Sequence, residues 1–134
     1  MWISEIQSKV FTRIKVEGTK KLKSKYPNIN FTTSSKVQKD PKFPNVYLQK
    51  LAGAEQGQDL DGTTVNAVIS SFQVEITDNV SEDRTQEVAD VICMIMKSLG
   101  YQILGEPTQD NNESTYRNIS RYRRTIGEGD FDYL

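Results

Sequence analysis

The spacing of apolar residues changes near residue 79, from every second position to every third or fourth. Residues 72–77 alternate apolar and polar side chains, which is typical of a strand with one buried face. Six apolar residues then repeat at helical spacing: Val88, Val91, Ile92, Ile95, Met96 and Leu99. Asn79 or Ser81 can cap this helix, and Gly100 is placed to end it in a left-handed conformation. A strand that leads into an amphipathic helix predicts a domain in which helices pack on a sheet.

Apolar spacing predicts one more helix and several more strands. The helix covers residues 2–24, and Pro27 prevents it from continuing. The strands are predicted over residues 30–35, 43–51, 63–78, 101–104 and 115–126. The order α-β-β-β-α-β-β therefore predicts an α+β fold, with a mixed, mostly antiparallel sheet that two helices cover on one face.

Three local features are predicted within a single domain that spans residues 1–134. Residues 52–62 hold three glycines and three acids, so we expect a flexible acidic loop at the end of an extended β-hairpin. Residues 127–134 are expected to form a C-terminal tail. The apolar residues of 65–69 have the opposite phase to those of 72–77, which predicts a bulge near Ser70 and Ser71.

The composition argues against common catalytic sites. The chain of 134 residues has no histidine and one cysteine, Cys93. A Ser–His or Cys–His nucleophile is therefore excluded, as is a zinc site built from cysteines. We predict no catalytic, metal-binding or cofactor-binding residues, and no cofactor. No apolar run reaches the length of about 18 residues that a membrane span requires, so no membrane partner is expected.

Charge is distributed unevenly along the chain. Residues 1–50 hold eleven Lys and Arg against three acids, and residues 51–113 hold two against twelve. Residues 114–134 hold four arginines against three acids. These charges can neutralise each other within one fold, or the positive side of one copy can meet the negative side of another. Head-to-tail contacts of the second kind close into rings when the rotation allows.

The last predicted strand carries the residues that we assign to an interface. One half of the interface is four arginines: Arg117, Arg121, Arg123 and Arg124. The other half is three acids of the predicted loop: Glu55, Asp59 and Asp61. The alternative is that the arginines pair with Glu75 and Asp78 inside the same sheet. Arginines interleaved with tyrosines are also found on single-stranded nucleic-acid platforms, so a nucleic-acid-binding module is a second hypothesis.

Three stretches of the chain resemble the tail terminator proteins of long-tailed bacteriophages. Residues 43–77 combine a strand, an acidic glycine-rich segment and a second strand that contains FQVEI. Residues 81–103 match the following helix, and residues 116–129 match the closing strand rich in arginine and tyrosine. The same family occurs in contractile tails and in phage-derived bacteriocin particles.

The resemblance implies a structural virion protein without enzymatic activity, assembled in the host cytoplasm. Its expected partners are further copies in a hexameric ring, the tail tube protein, and head–tail connector or neck proteins, with sheath or collar protein as further candidates. Such a ring caps the head-proximal end of the tube, stops its polymerisation and offers a surface for head joining. DNA would pass through the lumen without specific binding. A head-closure or tail-completion neck protein is the alternative.

Overall fold

A computed structural model describes residues 2–34, 41–58, 65–127, 129–130 and 134. A turn of 3-10 helix at Trp2–Glu5 leads into helix α1, Ile6–Leu22, and the second helix is α2, Glu82–Ser98. The strands are β1 Asn30–Thr32, β2 Asn45–Gln58, β3 Val65–Asp78, β4 Gln102–Ile103, β5 Thr108–Gln109 and β6 Tyr116–Gly127. The fold is α+β, as predicted. Among the described residues, no helix has the length and apolar character needed to cross a membrane.

The six strands form one mixed sheet that is not closed. Their order is β1-β2-β3-β6-β4, and β5 pairs with another part of β6. The short β1 runs parallel to β2, whereas every other described pair is antiparallel. The long strands β2, β3 and β6 are paired in lateral register from Asn45 to Leu51 of β2, so that Gln49, Gln73 and Arg121 lie in one row.

Both helices lie on one face of the sheet, and the core fills the space between the two layers. Helix α1 contributes Ile6, Val10 and Ile14, which recur at the spacing that the sequence predicted. The largest fully buried side chains include Phe72 of β3, together with Tyr122 of β6. Alternate residues of β3 and β6 therefore face the helices, and the residues between them point away.

The predicted break in strand phase near Ser70 and Ser71 is wrong. The pairing of β3 with β6 runs without interruption, and Val68, Ser70 and Phe72 all point to the helices. Ser70 can be buried at low cost because its hydroxyl lies 2.8 Å from the hydroxyl of Tyr101 and forms a hydrogen bond with it. An irregularity does occur at this level of the sheet, but it lies in the partner strand β2, between Leu51 and Ala54, opposite Ser70.

The boundaries of the predicted loop and tail also change. Strand β2 continues to Gln58, so residues 52–58 are strand rather than loop, because their backbones pair with β3. Residues 59–62 lie outside the described residues. Gly127 belongs to β6 rather than to the tail, and the chain's last residue, Leu134, packs against the core. Strand β5, within a stretch that resembled a turn, was not predicted.

Gly100 ends α2 in the left-handed conformation that the sequence predicted, with φ at +83°. Its N–H donates to the Lys97 carbonyl at 2.9 Å, and the next N–H, that of Tyr101, donates to the Met96 carbonyl at 3.0 Å. These are the two bonds of a Schellman motif. An added Cβ would lie 3.0 Å from Nε of Arg124, so the position is crowded as well as strained.

We expect Gly100→Ala to lower the free energy of unfolding by about 1–2 kcal/mol, because a side chain is disfavoured in this conformation. Chemical denaturation measures the loss. Gly105→Ala is the matched control, since Gly105 has φ at +75° and an added Cβ there meets nothing within 4 Å. The difference in unfolding free energy between the two variants measures the cost of crowding by Arg124. A Gly100→Ala protein as stable as the wild type would contradict the prediction.

Candidate protein-interaction surface

The face of the sheet opposite the helices carries three of the four predicted interface arginines. We call it the outer sheet face and define it by nine residues: Tyr47, Gln49, Leu51, Ser71, Gln73, Glu75, Ile119, Arg121 and Arg123. None of the nine is fully buried, and Arg121 and Arg123 are exposed. The strands alternate, so one set of side chains builds the core and leaves this set without a covering element among the described residues.

A chain of polar contacts crosses the outer sheet face. Arg121 Nε donates to Gln73 Oε1 at 3.0 Å, and Gln73 Nε2 donates to Glu75 Oε1 at 2.9 Å. Glu75 Oε2 lies 4.0 Å from Nη1 of Arg117, whose Nη2 donates to Asp110. These contacts restrain the side chains of Arg121, Gln73, Glu75 and Arg117, and a restrained side chain loses less entropy when it is buried by a partner.

The structure does not bring the four predicted arginines into one site. Arg117 is neutralised by Asp110 and Glu75. Arg121 and Arg123 are exposed on the outer sheet face, and the side chain of Arg123, unlike its backbone, has no hydrogen bond or ion pair with any described residue. Arg124 points to the opposite face, where its Nη1 donates to the Leu99 carbonyl at 2.6 Å and binds the end of α2. Arg124 therefore does not share a face with Arg121 and Arg123, because alternation along β6 turns it toward the helices.

The described residues include only one of the three acids in the acidic half of the predicted interface. Glu55 lies in β2, where its backbone is opposite Val68. Asp59 and Asp61 lie outside the described residues. The alternative pairing inside the sheet is correct for Glu75, which meets Arg117. It is wrong for Asp78, which faces the helices and meets Arg84.

The tyrosines of β6 do not share the face of its exposed arginines. Tyr122 is 1% exposed and packs in the core. The phase of Tyr116 along β6 is that of Tyr122 rather than that of Arg121 and Arg123. Stacking on a nucleic-acid base requires an accessible aromatic ring beside the cations. The arginine and tyrosine pattern of β6 therefore does not form a stacking platform.

A second polar cluster joins the segment after α1 to the start of α2. Glu87 accepts bonds from Lys25 Nζ at 2.7 Å and from the hydroxyl of Tyr26, also at 2.7 Å. Nε of Arg84 lies 3.3 Å from Oδ2 of Asp78, and its guanidinium carbon is 5.0 Å from the centre of the Tyr26 ring. A cleft of about 370 Å³ opens beside Lys25, Tyr26, Arg84 and Glu87.

Protonation in this cluster favours a structural role. Burial and the bond to Glu87 raise the pKa of Tyr26 to about 12. The bond from Lys25 lowers the pKa of the Glu87 carboxyl. Tyr26 therefore stays a hydrogen-bond donor and Glu87 an acceptor at neutral pH, so the pair ties the two segments together. No group of three or more acidic, cysteine or histidine side chains within the described ranges is placed to hold a metal ion.

Sequence reasoning missed several residues of the outer sheet face. The alternation of residues 46–49 had placed Tyr47 and Gln49 on the polar side of their strand. Gln73 and Asp110, which bind Arg121 and Arg117, had no signal of their own, because each acquires its role from the register between strands. The phase of β6 was a usable signal for Arg124, since it shares parity with Tyr122 and Ile126.

No protein-family model and no curated protein sequence matches this chain. Among 22 solved chains that are similar to it, one covers 84% of this chain and 93% of its own length. Its sequence identity is 16% and its TM-score is 0.36. A likeness of that size carries no weight for fold or function. The role of the outer sheet face has to follow from its own residues.

Proposed function

We propose that this chain is a tail terminator, a structural virion protein that forms a ring on the head-proximal end of a phage or phage-like tail tube. The observation that carries the proposal is the outer sheet face, where Arg121 and Arg123 lie exposed beside half-buried Tyr47, Leu51 and Ile119. Arginine and aromatic or apolar side chains on one ordered surface are the combination that protein interfaces favour. The ring stops polymerisation of the tube protein and presents its other side to the neck proteins.

The geometry of tube growth supports this assignment. A tube grows by repeating one heterologous contact, so a terminator must reproduce that contact on one side and lack it on the other. The two faces of this sheet differ completely, because one is covered by helices and the other is open among the described residues. A subunit with two different sides can bind a tube end with one side and present no binding site for further tube protein on the other. The sequence resemblance to tail terminators points in the same direction.

The first test is charge reversal on the outer sheet face. Arg121→Glu and Arg123→Glu, made singly, should each weaken binding to tail tubes by about tenfold or more, a loss of about 1.4 kcal/mol. Lys42→Glu is the matched control, since Lys42 is exposed outside the strands and the change in charge is the same. Co-sedimentation with purified tubes measures binding, and circular dichroism confirms that each variant is folded.

Particle imaging separates the proposal from its alternatives. Particles made without this protein should have abnormally long tubes, whereas normal tails that lack heads would indicate a head-closure or tail-completion neck protein. Light scattering of the pure protein, alone and with tubes, should show a hexamer in at least one condition. A monomer that never associates with tubes contradicts the proposal. Salt-dependent DNA binding that Arg121→Glu abolishes would favour the nucleic-acid module instead.

A further inference from the structure

The exposed side of α1 forms a basic ridge, which we define as Arg13, Val16 and Lys20. Helical spacing places these residues in one line along the axis. Arg13 is exposed, Lys20 is 68% exposed, and Val16 is 45% exposed. The helix carries five Lys and Arg against the single acid Glu17. An exposed apolar side chain therefore stands between two cations on the outer side of the helix layer.

The exposed side of α2 forms an acidic ridge, which we define as Asp83, Asp90 and Met94. All three are exposed, and Met94 is 60% exposed, the largest value for a large apolar side chain among the described residues. The helix holds four acids against two cations. Of these cations, Arg84 turns to Asp78, and Lys97 lies at the far end of the helix. The ridge is thus negative over its first two turns and apolar beyond them.

The two ridges match each other in charge and in spacing. Arg13 and Lys20 are seven residues apart, as are Asp83 and Asp90. Each pair therefore spans about 10 Å along its helix, at about 1.5 Å per residue. Within one copy no ion pair among the described residues joins the two ridges, and Nζ of Lys20 lies 3.8 Å from Oε1 of Glu17, a partly exposed acid of its own helix. Val16, which lies between the two cations, would lose contact with water if the two ridges met, which adds a hydrophobic contribution.

We propose that a second copy of this chain covers the basic ridge with its own acidic ridge. Arg13 and Lys20 of one copy then face Asp83 and Asp90 of the next. The inference rests on the proposed function, because it requires self-association, and it assigns the contact between subunits to the helix layer. The outer sheet face then remains available for the tube or the neck.

Paired charge reversals test the contact. Arg13→Glu/Lys20→Glu and Asp83→Lys/Asp90→Lys should each weaken self-association by at least about tenfold, because each brings like charges together. All four substitutions in one chain, or an equal mixture of the two double variants, should restore the mass of the wild-type oligomer. Glu113→Lys is the control, since Glu113 is an exposed acid outside the ridges. Light scattering gives the mass, and circular dichroism confirms folding.

The outcomes separate this inference from the proposed function. Double variants that associate like the wild type place the contact elsewhere and overturn the inference, while capping of tubes by the same proteins still supports the terminator. Folded variants that the mixture fails to restore also overturn it. Loss of DNA binding by Arg13→Glu/Lys20→Glu without any change of mass would make the basic ridge a polyanion site instead. A wild-type protein that stays monomeric with and without tubes removes both proposals.

Discussion

Replacement of Asp78 by alanine is expected to lower the free energy of unfolding by about 3 kcal/mol. Asp78 is 0% exposed, and its Oδ2 accepts the N–H groups of Val80 and Ser81 at 3.1 and 3.2 Å. The same oxygen lies 3.3 Å from Arg84 Nε. Removing one partner of a buried pair costs about 3–5 kcal/mol. The Nε of Arg84 is buried, but its side chain as a whole is 29% exposed, so we expect the lower end of that range.

Urea denaturation of matched variants measures this loss. Asp83→Ala is the control, since Asp83 is an exposed acid in the first turn of the same helix and its loss should cost less than about 1 kcal/mol. Asp78→Asn keeps an oxygen that can accept the two N–H groups and removes the charge. Comparing it with Asp78→Ala therefore distinguishes the contribution of the hydrogen bonds in the turn from that of the ion pair with Arg84. An Asp78→Ala protein as stable as Asp83→Ala would show that the buried carboxylate does not hold the turn before α2.

The protein is expected to lose stability steeply between about pH 10 and pH 12, because buried tyrosines must ionise. Burial raises the pKa of Tyr101 to about 12. Burial and the bond to Glu87 raise the pKa of Tyr26 to the same value, and burial raises that of Tyr122 further. The unfolded chain releases these protons near pH 10. The stabilisation is thus complete below about pH 10 and is lost as the pH rises through the folded-state values.

The contribution of Tyr101 can be measured separately. At about 1.4 kcal/mol for each pH unit, its part of the loss is on the order of 2 kcal/mol. Tyr101→Phe should therefore show a shallower fall in unfolding free energy from about pH 10 to pH 12. Ser70→Ala is the control, because it removes the same 2.8 Å hydrogen bond and keeps the phenol. If Tyr101→Phe and Ser70→Ala have the same pH profile, ionisation of Tyr101 is not the cause.

The fold was largely predictable because its main signals are local. The helical stripe of α2, its end at Gly100 and the alternation within β3 each depend on residues close together in sequence. The direction of Ser70 was not predictable in this way, since its partner Tyr101 comes 31 residues later. The two-residue strand β5 exists through its pairing with β6, so its own sequence did not indicate it.

The candidate surface was predictable in part. The sequence placed Arg117, Arg121 and Arg123 on one side of their strand, and all three lie on the face away from the core. Whether each is available depends on partners from other strands: Asp110 and Glu75 occupy Arg117, whereas Arg123 has no described partner. Charge counts along the chain do not contain that information, because pairing across strands is fixed by register.

The two lateral edges of the sheet have unequal capacity to accept another strand. Over residues 117–123 of β6, the outer backbone groups are paired with β4 and β5, and the N–H groups of Leu104 and Asp110 bond the carbonyls of Arg121 and Arg117 at 2.8 Å. Along β2, the described chain supplies a neighbour only as far as Tyr47. Free edge groups are a template for an incoming strand. We therefore expect an added strand to pair with β2 rather than with residues 117–123 of β6.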